Sequence, residues 1–225
     1  MTFSEQILDF YFSMPRSLPL PNGVETIYPF ENEETQRVMQ TFFNKYYHDT
    51  EPRTYLIGIN PGRLGSGITG IGFADGYHLE EYCDIANSFD KRVEISASFM
   101  FEVMEAYGGA EAFYKDFFFT TVMPLGLLKN NKNYNYYDDL QTQSDLEPFI
   151  EETLLKQMSF PQAKPNIICV GQGKNFKYLK AFNNKYECFE SIEVVPHPRW
   201  VMQYRRKDKQ QYIDTYLEVF ERVLA

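Results

Sequence analysis

Four short apolar runs, Tyr55–Ile59, Phe117–Val122, Asn166–Val170 and Ser191–Val195, each stop at residues built for turning: Asn60-Pro61-Gly62, Met123-Pro124, Gly171-Gln172-Gly173 and Pro196-His197-Pro198. Runs this short and this apolar suit strands covered on both faces. Helical patterns separate them, and that alternation predicts a three-layer α/β/α sandwich with a central, mainly parallel four-stranded sheet. Right-handed crossovers bring the carboxyl ends of such strands to one edge, where open α/β sheets bind ligands. Asn60, the segment around Thr121, and His197 are thereby expected to converge.

Thr2-Phe3-Ser4-Glu5 has the capping-box spacing ahead of Ile7, Leu8, Phe10 and Tyr11, which predicts a short amphipathic helix. Val38, Met39, Phe42, Phe43 and Tyr46 give one apolar face to a helix over 33–47. Further helices are predicted over 96–107, 110–115, 145–158, 175–182 and 210–224. Residues 15–29 read as a proline-punctuated connection, 129–137 as a polar loop, and 75–90 carry no assignable pattern. With 44% hydrophobic residues and no linker tract, the 225 residues are expected to form one domain, 1–225, with a helical extension over about 1–29.

No apolar run approaches the ~18 residues of a membrane span, and no basic-then-apolar leader opens the chain, so an intracellular protein off the membrane is expected. Cys83, Cys169 and Cys188 are far apart and form no Cys-x-x-Cys pair, so neither a zinc site nor an iron–sulfur cluster has its ligands; no metal or other cofactor is expected. A net charge of −9 and a pI near 4.9 argue against broad adhesion to nucleic acid. One local basic run answers that objection: Arg199, Arg205, Arg206, Lys207 and Lys209, next to His197.

Gly65–Gly70 formally matches a dinucleotide fingerprint, but its glycines begin several residues beyond the strand end. Gly62–Thr69 resembles a phosphate loop in which Ile68 stands where the lysine must be. No serine sits in a nucleophile elbow and no lysine or cysteine stands out as a nucleophile. His48 and His78 read as surface residues. His197 is different, because prolines on both sides restrain it at a strand end, where it either acts chemically or caps a turn. Asn60 with His197 suits a bond whose leaving group departs as an anion: an amide orients a water, and an imidazole hydrogen-bonds the atom on which charge develops.

Gly58-Ile59-Asn60-Pro61-Gly62, followed by Gly65, Thr69-Gly70-Ile71 and Phe73, closely resembles the first motif of the single-strand-selective monofunctional uracil-DNA glycosylases. Glu94-Ile95-Ser96-Ala97, the helix to Tyr107, Phe113-Tyr114, Phe117–Leu125 and Ile167–Gly173 resemble the family's middle regions in order and spacing. His197-Pro198-Arg199 is similar to a shortened form of its histidine motif. The resemblance covers roughly residues 30–209 and implies the uracil-DNA glycosylase fold and a base flipped out of DNA into a pocket.

It further implies that Asn60 positions the attacking water, Phe73 stacks on the base and His197 stabilises the departing anion, with Gly58, Ile59, Gly62 and Thr121 completing the base pocket. Pro198, Arg199, Trp200, Arg205, Arg206 and Lys207 fall where the family meets DNA. Trp200 either wedges into the duplex or packs on the last helix. Thr121 stands where the family has an asparagine that reads the uracil edge, so the base is expected to be uracil or a related deaminated or oxidised base. The expected protein is a monomeric DNA glycosylase acting on single- or double-stranded DNA; the alternative is a non-catalytic nucleic-acid or nucleotide-binding member of the fold.

Overall fold

A computed structural model describes residues 1–225. The strands are β1 (Val24–Ile27), β2 (Thr54–Gly58), β3 (Phe117–Thr121), β4 (Gly126–Lys129), β5 (Lys132–Tyr134), β6 (Asn166–Val170) and β7 (Ser191–Val195). The helices are α1 (Phe3–Phe12), α2 (Glu33–Tyr46), α3 (Ser66–Thr69), α4 (Gly76–Cys83), α5 (Ile95–Tyr107), α6 (Ala110–Asp116), α7 (Leu140–Met158), α8 (Lys174–Tyr186), α9 (Pro198–Tyr204) and α10 (Lys209–Leu224). None is long and apolar enough to cross a membrane.

The four predicted strands form one sheet in the order β3-β2-β6-β7, and every neighbouring pair is parallel. Alternate residues of β3 face opposite helical layers. Phe118 meets Phe3 of α1, and Thr120 hydrogen-bonds Gln157 of α7. On the other face Phe117 packs on Phe220 of α10, and Phe113 of α6 stacks on both Phe117 and Phe119. Such aromatic pairs contribute about 0.5–1.5 kcal/mol each beyond their buried area. Phe3, Ile7 and Phe10 of α1 belong to the same continuous core as the sheet, so the first helix is an integral layer. Its predicted capping box is present, with Thr2 and Glu5 satisfying each other's backbone N–H groups.

Several stretches differ from their sequence reading. Where 15–29 reads as a connection and 129–137 as a polar loop, residues 24–27 and 126–134 form a second sheet, antiparallel, in the order β1-β4-β5. Its hairpin turns at Asn130 and Asn131, both left-handed at φ 52° and 58°, as the tight turn between twisted strands requires. These strands are three or four residues long and partly exposed, so they carry no alternation to read. Within 75–90, α4 is capped by Asp75, whose side chain accepts from the His78 N–H. α7 starts five residues earlier than its apolar pattern, because Asp139 caps it, and it carries Pro148 inside. The second sheet lies against the first site loop: a Cβ on Gly126 would stand 2.8 Å from the Pro61 carbonyl oxygen.

Candidate active site

β2 has β3 on one side and β6 on the other, so the chain reverses its direction of travel across the sheet there. Ligand crevices form at such switch points, beyond the carboxyl ends of the strands. A cavity of about 130 Å³ opens at that place, and Gly58, Ile59, Asn60, Gly62, Phe73, Thr121 and His197 all line it. Seven residues separated by up to 139 positions of sequence are thus brought to one pocket by the parallel sheet.

Asn60 is half-buried, and its amide is oriented by the second sheet. Nδ2 donates to the Tyr134 carbonyl of β5 at 3.1 Å and lies 3.5 Å from the Pro61 carbonyl. The reverse orientation would set oxygen against oxygen. Oδ1 is therefore committed to the opposite side, where it is buried and has no protein partner. An unpaired buried acceptor costs about 1–3 kcal/mol.

His197 is the N-cap of α9, with Pro198 at the first helical position. Its Nδ1 accepts from the Arg199 N–H at 3.2 Å, so the ring proton of the neutral imidazole sits on Nε2. Burial, and secondarily the Arg199 charge, push the ring's pKa from 6.5 down to about 4. His197 is then a neutral Nε2–H donor at physiological pH.

The unfolded chain protonates this ring near 6.5 and the folded chain only near 4. Folding therefore excludes a proton, and His197 makes stability fall as pH drops through that window. Thermal melting across pH 7 to 4 is expected to show this decline, and replacing His197 by glutamine to reduce it. An unchanged slope in that variant would mean that the ring is not held neutral.

Phe73 approaches the ring with a centroid separation of 6.1 Å and meets Phe119 edge-on at 5.1 Å. Its backbone is left-handed at φ 53°, a conformation that costs a bulky residue about 1–3 kcal/mol and persists where the surroundings over-determine it. The Thr121 hydroxyl donates to the Met123 carbonyl at 2.8 Å. Its proton is spent on the backbone, and the hydroxyl keeps only acceptor lone pairs.

The cavity also takes residues that the sequence did not single out for it, among them Ser66, Glu94, Asn133 and Asn135. Asn133 comes from the hairpin, and its Oδ1 accepts from the Arg63 N–H at 3.0 Å. Glu94 caps α5; the sequence marked it only as the first residue of the Glu94-Ile95-Ser96-Ala97 stretch that resembles the family, with no role attached. Asp75 links these parts: Oδ2 accepts from the Glu94 N–H at 2.7 Å, and Oδ1 lies 2.8 Å from His78 Nδ1. Burial would push the Asp75 carboxyl up, but bonds from the His78 ring and from the Glu94 and His78 N–H groups outweigh it and hold it low. His78 is accordingly not a surface residue. It is 3% exposed and stacks on Phe101, because α4 folds its polar neighbours outward and its ring inward. His48 is exposed, as read.

Arg199, Trp200, Arg205, Arg206 and Lys207 are exposed on and just after α9, the helix that starts from the cavity residue His197, whereas Pro198 is buried and sets the start of α9 without offering surface. Trp200 keeps 41% of its surface open, with the Arg205 guanidinium 5.5 Å from its ring and Tyr212 of α10 edge-on at 5.8 Å. It is braced on the last helix and still faces outward. Lys209 is drawn away from the run by an ion pair with Glu102.

The model of the uracil DNA glycosylase superfamily matches residues 45–221, which hold every cavity residue named above. No curated protein matches the chain. Among solved structures, the crystal structure of wild-type SMUG2 from Pedobacter heparinus is 38% identical, with a TM-score of 0.94 over 99% of this chain and 98% of that one. Matched in order through both site loops and the whole sheet, the chain belongs to the uracil-DNA glycosylase superfamily and to its branch similar to the single-strand-selective monofunctional enzymes.

Proposed function

We propose that this protein is a monofunctional DNA glycosylase, which takes a damaged base flipped out of DNA, hydrolyses its N-glycosidic bond and leaves an abasic site for base excision repair. The observation that carries this reading is that two residues lining the cavity each keep a group without a protein partner: the buried Oδ1 of Asn60 and the Nε2–H of His197. Oδ1 accepts a hydrogen from water and aims its lone pair at C1′. Nε2–H donates to the base oxygen on which negative charge grows, and a neutral donor does so without protonating it. Phe73 stacks on the base.

The base is uracil or a related deaminated or oxidised base. With its hydroxyl proton given to Met123, Thr121 accepts a hydrogen from the base edge, which suits a ring N–H and is a weaker discriminator than a paired amide contact. Incubation with oligonucleotides carrying uracil, hypoxanthine, xanthine or an oxidised pyrimidine, followed by alkaline cleavage, tests the reading. Strand breaks at a lesion are the expected result. Lesion-containing DNA bound but never cleaved would favour a non-catalytic binding member of the fold.

Arg199, Trp200, Arg205, Arg206 and Lys207 are the proposed DNA-contacting surface, concentrating positive charge on and just after α9 in a chain of net charge −9. Arg206→Ala is expected to weaken DNA binding and to reduce the slope of log K against log[salt] by about 1, leaving the order of lesion preference intact. A changed order of preference would assign Arg206 to base reading instead.

A further inference from the structure

Heterolysis of the C1′–N bond leaves its electron pair on the base and positive charge on the sugar, and the groups assigned so far answer only the negative half. Asn60 is uncharged, and His197 is neutral above about pH 4. Among the side chains lining the cavity, Glu94 is the one carboxylate, and no lysine or arginine accompanies it.

Its carboxylate is held in place before any substrate arrives. Oε2 accepts from the N–H groups of Ser96 at 2.8 Å and Ala97 at 3.0 Å, and Oε1 from the Ser96 hydroxyl at 3.1 Å. The Glu94 N–H is tied in turn to buried Asp75. Oε2 spends both of its lone-pair sites on these bonds, and Oε1 keeps one free. Helix capping does not ask for this residue, since Ser, Thr, Asp and Asn are the preferred caps. The longer side chain caps α5 and also brings a formal negative charge to the cavity wall.

We propose that Glu94 is a further catalytic residue, whose carboxylate stabilises the cationic sugar of the transition state. This rests on the glycosylase reading above. In the step, the C1′–N bond breaks with its pair going to the base, and the water oxygen held by Asn60 forms the new C1′–O bond. The base anion recovers from solvent a proton equivalent to the one the water gives up. Glycosidic cleavage passes through such an oxocarbenium-like state, and a fixed carboxylate beside it acts without reorganising.

The test compares affinities for two oligonucleotides, one with a protonated pyrrolidine in place of the abasic sugar and one with an uncharged tetrahydrofuran. The wild-type protein is expected to prefer the pyrrolidine. Glu94→Gln keeps an amide oxygen for the Ser96 and Ala97 N–H groups and is expected to lose roughly 10- to 100-fold on the pyrrolidine alone. Glu94→Asp, which keeps charge and cap, should retain the preference. Equal losses on both analogues, or an undiminished preference in Glu94→Gln, would overturn the role of Glu94 and leave the glycosylase reading standing. Failure of the wild-type protein to release any base overturns that reading, and this proposal with it.

Discussion

Replacing His197 by alanine is expected to lower single-turnover base release by roughly 10²- to 10³-fold, the loss that follows removal of one preorganised donor to a developing anion. The expectation rests on the tautomer. The Arg199 N–H occupies Nδ1, so the ring has one proton to offer, on Nε2. Preorganisation is what gives the donor its value: α9 and the flanking prolines hold the ring before DNA binds. Binding of abasic product should change little, because the anion is absent from it. The variant also gives up an N-cap, worth about 1 kcal/mol, and should melt a few degrees lower. Full turnover with a lowered melting temperature would reduce His197 to a turn cap.

Asn60→Ala is expected to cost roughly 10²-fold or more in the same assay while leaving stability nearly unchanged. The two effects separate because the amide is satisfied on one end only. Alanine loses the bond to the Tyr134 carbonyl and at the same time removes a buried acceptor that nothing pairs. Each is a change of about 1 kcal/mol with opposite sign. Strain kept at a site for function is the usual source of such a divergence between activity and stability. Urea unfolding measured beside single-turnover kinetics checks both halves. A loss of stability as large as the loss of rate would mark Asn60 as a structural residue of the loop.

Apart from β1, β4 and β5, the strands were legible because each is an apolar run cut off by a proline or glycine, a signal contained within ten residues. Helices with a cap and an apolar stripe were legible for the same reason, as in α1 and α2. The second sheet was not, since three- and four-residue strands depend on partners a hundred positions away, Val24 on Lys129 for example. His78 was misplaced because its neighbours are polar, and whether a helical ring faces in or out depends on what it packs against.

Asn60 and His197 were recognisable from sequence as the residues at two strand ends, restrained by prolines, and their chemical types already implied an anionic leaving group. Which atoms of those residues are left without a protein partner was decided only by tertiary contacts. Asn60 turns its oxygen away from the hairpin and leaves it unpaired because a carbonyl 74 residues away takes its nitrogen. Thr121 presents lone pairs because Met123 takes its proton, and Glu94 is tied to Asp75 across 19 residues. Residue type and turn chemistry are local properties of a chain, whereas the direction of a hydrogen bond needs both partners in place, and folding alone supplies the second.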